Sequence, residues 1–172
     1  MSKLLRGARR DSWDLGTTNA VRPDDPTSAR DFQPYHEASV WVIEEHGSNL
    51  HRIIAALASK RTWPSNLDYV LFDEALVRKL GITMRQTTGT TLDEEANKRW
   101  HRDLNMSEAQ ALELVREIKK PRGSSATERV REKDVLKCLA RAVEEGRIDL
   151  AQLEPKVRDR VQTELSKRAS GN

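Results

Sequence analysis

Lys98-Arg99-Trp100-His101-Arg102 interleaves basic side chains with one large aromatic ring, the pattern of a surface that grips phosphates while stacking a base. Helical spacing tempers that reading. Leu92, Ala96, Trp100 and Leu104 recur every four residues, so Trp100 points to a core, about 200° round the helix from Lys98 and Arg102 at about 100° per residue. Lys98 and Arg102 stay as candidate phosphate contacts and Trp100 does not. Glu94 precedes Lys98 by four and Glu95 precedes Arg99 by four, the ion-pair spacing of an exposed helix face.

Two further basic clusters stand out. Lys3, Arg6, Arg9 and Arg10 meet no acidic residue among the first ten. Lys119, Lys120 and Arg122 gather at the expected C-terminus of a helix, where cations also suit the helix dipole. Arg outnumbers Lys 20 to 10, and the planar guanidinium fork suits phosphate and carboxylate recognition. Against these clusters, the chain divided at residues 36, 82 and 123 has section charges of +1, −1, +1 and +2. That is not the one-sided excess of a protein that neutralises many duplex phosphates.

Other chemistry lacks its residues. No GxxxxGK[ST] loop is present, and His36-Glu37 is followed by Ala38-Ser39-Val40, which is not HExxH. His36, His46 and His51 with Glu44 and Glu45 are of metal-ligating type, but Gly47 lies between His46 and His51 and their five-residue spacing turns them from one helix face. Cys138 sits between Lys137 and Leu139 beside apolar positions, as a small core residue does. No acid, base and nucleophile converge, so no catalytic residue, metal or cofactor is expected and the chain reads as non-enzymatic.

The elements that position these groups read as helices. The chain has 172 residues, 37% apolar and only 5% aromatic, with Leu, Ala and Val leading, which favours an all-α fold with one modest core. Residues 1–37 carry no sustained period and read as an irregular arm. Within it, Trp13, Phe32 and Tyr35 are expected to dock on the body or on a partner. Residues 38–120 read as a helical core. Ser39 to Glu45 fits a short helix or a buried strand, with helix favoured; Leu50, Ile53, Ile54, Leu57 and Ala58 mark an amphipathic helix running to about Arg61, where Trp63-Pro64 stops it; and Leu67 to Leu80 is assigned to the central helix, ended by Gly81. Thr91-Leu92-Asp93-Glu94 and Ser107-Glu108-Ala109-Gln110 open two more. Residues 121–172 read as a C-terminal αα-hairpin, with a capping box at Ser125-Ala126-Thr127-Glu128 and a narrow final stripe, Val157, Val161 and Leu165, as a candidate seam for a partner. The sum is a bundle of about six helices.

Residues 91–120 also have the spacing of a helix-turn-helix, but the second helix would present Glu108, Glu113 and Glu117 to phosphate, so no recognition helix is expected. No apolar run approaches a membrane span. Met1 to Arg6 lacks the apolar stretch of a signal peptide, and a single Cys excludes an internal disulfide, so a cytoplasmic setting is expected. The functional expectation is a helical adaptor that binds nucleic acid, or works in a nucleoprotein complex, through its basic arm and small basic clusters. The alternative is an assembly or regulatory subunit that binds a protein or self-associates through the arm and the last helices.

Overall fold

A computed structural model of the chain describes residues 2–13, 28–120 and 127–170. Six strands form one antiparallel sheet: β1 Lys3–Gly7, β2 Ala38–Ile43, β3 Leu67–Asp73, β4 Thr83–Gln86, β5 His101–Asn105 and β6 Glu128–Val130, in the order β4-β5-β2-β1-β3-β6. The helices are α1 Arg10–Trp13, α2 Leu50–Ala58, α3 Glu74–Lys79, α4 Glu94–Trp100, α5 Glu108–Lys119, α6 Glu132–Glu144 and α7 Pro155–Ser170. The expected all-α bundle is therefore corrected to a mixed fold whose centre is a sheet.

The sheet is buried on both faces. Leu5, Trp41 and Tyr69 turn towards Ile53 and Ile54 of α2, Ala96 and Trp100 of α4, Leu136 and Leu139 of α6, and Val157 and Val161 of α7. Leu4, Val40, Val70 and Leu104 turn the other way, towards Trp13, Phe32 and Leu114, Val115 and Ile118 of α5. Successive residues of a strand alternate between these layers. A strand covered on both sides is apolar throughout, and such a run contains i+3 and i+4 spacings as well as i+2. That is why Leu67 to Phe72 and Val40 to Ile43 imitate helices in the sequence.

β1 overturns the irregular arm. Leu4 pairs with Val42 on one side and Phe72 on the other, and Leu5 with Trp41 and Leu71. Both leucines are wholly buried, which contributes about 1.5–3 kcal/mol each. The stretch read as the start of a tail is the third strand from one edge and the fourth from the other. α4 likewise stops at Trp100, where His101 becomes extended (φ −75°, ψ 138°) and opens β5. The four-residue stripe breaks at this junction: Ala96 and Trp100 belong to the layer of α2, and Leu104 to the layer of α5 on the other face of the sheet.

Several local readings stand. Ser107 accepts from the Gln110 amide and Gln110 answers to the Ser107 amide, a complete capping box. Gly81 and Gly146 follow α3 and α6 with φ of 65° and 67°, the left-handed value that Gly adopts without penalty. α4 starts two residues later than its expected box, capped by Asp93 in place of Thr91, with the Asp93 side chain accepting from the Ala96 amide. Glu128, expected to cap a helix, lies in β6.

Candidate nucleic-acid interface

β1 and β3 run antiparallel, with Gly7 opposite Tyr69 and the Ala8 amide donating to the Asp68 carbonyl at 3.0 Å. The chain leaving β1 towards Arg9 and Arg10 therefore lies at the same end of the sheet as the 60–66 loop that leads into β3. Lys3, opposite Asp73, marks the other end of the strand. The four basic residues of the first ten do not form one group.

Asp31 organises the Arg9 end. Its carboxylate accepts from the Arg9 amide at 2.9 Å, Arg9 Nε at 2.8 Å and Trp13 Nε1 at 2.8 Å. Trp13 is thereby drawn into the core, 6.1 Å between ring centroids from Phe32, and Phe32 is 6.1 Å from Phe72. Lys119, at the end of α5, reaches across to the same turn. Its Nζ donates to Ser28 Oγ at 2.8 Å and stands 5.7 Å from the centre of the Trp13 ring, a cation–π distance. Arg9 and Lys119, from opposite ends of the first 120 residues, are thus gathered round Trp13 and Asp31, with exposed Arg30 beside them. Arg30 makes no ion pair among the described residues.

Arg6 belongs to the interior. Its Nε donates to the Asp31 carbonyl at 2.8 Å, its Nη1 to the Ser39 carbonyl, and its guanidinium lies 5.8 Å from the Phe32 ring centre. Burial lowers its pKa while Asp31 and Asp103 oppose that shift. Its donors satisfy carbonyls of the fold and not phosphates. Lys120 pairs with Glu117, whose carboxyl it holds below the usual range. Lys98 is exposed and 3.6 Å from Glu94, and Arg102 donates to the Arg99 and His101 carbonyls at 3.1 and 2.7 Å. These two no longer share a helix face, since Lys98 is in α4 and Arg102 in β5. Arg122 lies outside the described residues.

The candidate partner-binding residues are placed inside the molecule. Trp13 is 1% exposed and Phe32 is buried, while Tyr35 is half-buried and packs against the same cluster. Val157 and Val161 belong to the core, and Leu165 packs against it beside α6. The residues read as a seam for another chain are the seam of α7 on its own body.

Sequence reasoning passed over Trp63, treating it only as part of the signal that stops α2. It is 58% exposed, while Trp13, Trp41 and Trp100 are 1%, 3% and 6% exposed. Its neighbours are Lys60, Arg61, Thr62 and Ser65, which line an open cleft of about 340 Å³ with it. Lys156, in the first turn of α7, holds its Nζ 3.3 Å from the centre of the indole. The legible signal was Lys60-Arg61-Thr62-Trp63, basic residues beside an aromatic that no apolar period claims.

A third polar group lies round the start of β5. Thr87 Oγ1 is 2.9 Å from His101 Nδ1, His101 Nε2 is 3.8 Å from Asp103 Oδ1, and Ser39 Oγ donates to Asp103 Oδ1 at 3.2 Å. Burial depresses the imidazole pKa, only partly opposed by Asp103, so His101 is neutral near pH 7. The 3.8 Å gap exceeds hydrogen-bond reach, and the imidazole acts to fasten the 87–91 loop onto the sheet. Among the described residues no three His, Cys, Asp or Glu side chains gather as a metal site, and no helix is long and apolar enough to cross a membrane. No family model matches the chain, and neither a curated protein nor a solved structure matches it.

Proposed function

We propose that this protein binds nucleic acid without catalysing its chemistry, alone or within a nucleoprotein complex. The observation that carries the reading is the gathering of Arg9, Arg30 and Lys119 round the Asp31 turn. Arg9 on the Asp31 carboxylate and Lys119 over the Trp13 ring come from segments more than a hundred residues apart, with exposed Arg30 next to Asp31 in the chain. Such a cluster holds phosphates at fixed spacing, which positions a polyanion without reading its sequence.

Exchanging Arg9, Arg30 and Lys119 together for Gln tests it by fluorescence anisotropy of a labelled oligonucleotide across a salt series. Binding is expected to weaken, and the slope of log K against log salt to flatten by about 0.7–0.9 for each phosphate no longer neutralised. An unchanged affinity and slope would remove these residues from any interface.

A second reading has its own observation. Among the described residues β4 is an edge strand paired with β5 alone, and an edge strand is a template for a strand from another chain. That reading makes the protein an assembly subunit. Light scattering after size-exclusion chromatography separates the two, since strand addition yields a discrete complex that persists as salt rises, whereas phosphate binding does not.

A further inference from the structure

We infer that Trp63 is a stacking platform for a base of single-stranded nucleic acid, with Lys60 and Lys156 taking the neighbouring phosphates. The inference rests on the nucleic-acid reading above and adds to it the strandedness of the ligand and a second point of attachment. Trp63 is the sole exposed large hydrophobic side chain among the described residues. Leaving an indole in water forgoes the stabilisation that the other three tryptophans gain from burial.

The loop that carries it is held firmly. Arg61 Nη1 donates to Ser65 Oγ and to the Asn66 carbonyl, each at 2.7 Å, and the Asn66 side chain accepts from the Glu132 amide at 2.9 Å. The segment before β3 is thereby tied to the start of α6, and Trp63 projects from a braced turn. Lys156 Nζ lies over one face of the indole, 3.3 Å from its centre, so a base stacks on the opposite face, or on this one by displacing the ammonium towards its own phosphate. The strand register sets this loop at the same end of the sheet as the exit towards Arg9, but on the side covered by α6 and α7, whereas Trp13 and Lys119 lie on the α5 side.

The chemistry of the surroundings selects the ligand class. A membrane-inserting Trp has apolar companions, and an interface anchor for a protein sits in an apolar pocket sealed from water. Trp63 has neither. Its neighbours are Lys60, Arg61, Thr62, Ser65 and Lys156. An aromatic face amid cations fits bases, which all offer a π-face, and phosphates, which follow them at regular spacing.

All four tryptophans emit, but three are buried, so the part of the quenching that is lost in Trp63→Phe reports on Trp63. Wild type, Trp63→Ala and Trp63→Phe are titrated with a short oligothymidylate and with a mixed-sequence duplex, followed by tryptophan quenching and by anisotropy of the labelled strand. The expected result is quenching of wild type by the single strand and a loss of single-strand affinity of about five-fold to a hundred-fold in Trp63→Ala. Trp63→Phe retains part of it, and duplex binding changes little. Wild-type affinity for the single strand in Trp63→Ala overturns the platform, as does a blue shift with phosphatidylglycerol vesicles when the oligonucleotide gives no quenching. If single strand and duplex both bind but weaken only on exchanging Arg9, Arg30 and Lys119, the platform falls and the phosphate surface stands. If neither nucleic acid binds wild type, both readings fall together.

Discussion

Asp93 shows how much one side chain is asked to do. It is 1% exposed, caps α4, and receives Arg52 Nε and Nη2 at 2.7 Å each, with Arg147 Nη1 3.9 Å away. Burial alone would raise its pKa, but the hydrogen bonds from Arg52 and the Ala96 amide, with the charges of Arg52 and Arg147, bring it below the ordinary value. Asp93→Ala leaves two largely buried guanidinium groups short of an acceptor, and a urea melt is expected to show a loss of about 3–5 kcal/mol. Gly89 is constrained by space: an added Cβ would lie 2.8 Å from Asn97 Oδ1 and 3.1 Å from His101 Cδ2. Asn97 cannot yield freely, because its Oδ1 accepts from Thr91 Oγ1 at 2.6 Å and its Nδ2 donates to the Thr91 carbonyl at 2.8 Å. Gly89→Ala is expected to cost about 1–3 kcal/mol in the same measurement. Among the candidate phosphate ligands, residue type alone picked out Arg9 and Lys119, but not their meeting, which depends on Asp31. It also grouped Arg6 with them, because a sequence does not show which face of a strand an arginine occupies.

Elements whose signals are local were legible. The Ser107 to Gln110 capping box and the amphipathic α2 need only their own neighbourhood. Ser107→Ala is accordingly expected to cost about 1 kcal/mol, readable by urea denaturation. The strands were hidden for the opposite reason: their pairing partners lie far along the chain, and burial on both faces removed the polar-apolar alternation that marks a half-exposed strand. β1 is the clearest case, since Leu4 and Leu5 are only two apolar residues among cations until β2 and β3 flank them. Leu5→Ala is expected to destabilise by about 2–5 kcal/mol, whereas a residue of a solvated tail would change stability little. Chemical denaturation followed by circular dichroism distinguishes these outcomes.

For the molecule as a whole, histidines set the response to acid. His101 and His51 both have pKa values below the ordinary 6.5, in each case chiefly through burial, with Arg141 and Arg147 adding to it at His51. Near neutrality both are uncharged in either state, so they do not vary stability. As pH falls below about 6.5 the unfolded chain takes up protons first, and stability drops until the folded values are reached. Thermal midpoints measured from pH 7.5 to 5 are expected to fall, and less steeply in a His101→Gln, His51→Gln variant. Equal slopes in the two proteins would assign the acid response elsewhere.

The place of β1 in the middle of the sheet also bears on how the molecule comes into being. Its neighbours end at residues 43 and 73, so during synthesis Leu4 and Leu5 wait for several seconds, at about 5–20 residues per second, before both flanking strands exist. The layer that covers them on one side waits longer, for α6 and α7. Closure of the sheet joins segments distant along the chain, which makes the folding barrier largely one of loop entropy and the approach to the native state slow for a protein of this size. A nascent chain of this kind carries an unpaired apolar strand until β3 is made, and it is there that a chaperone would find it.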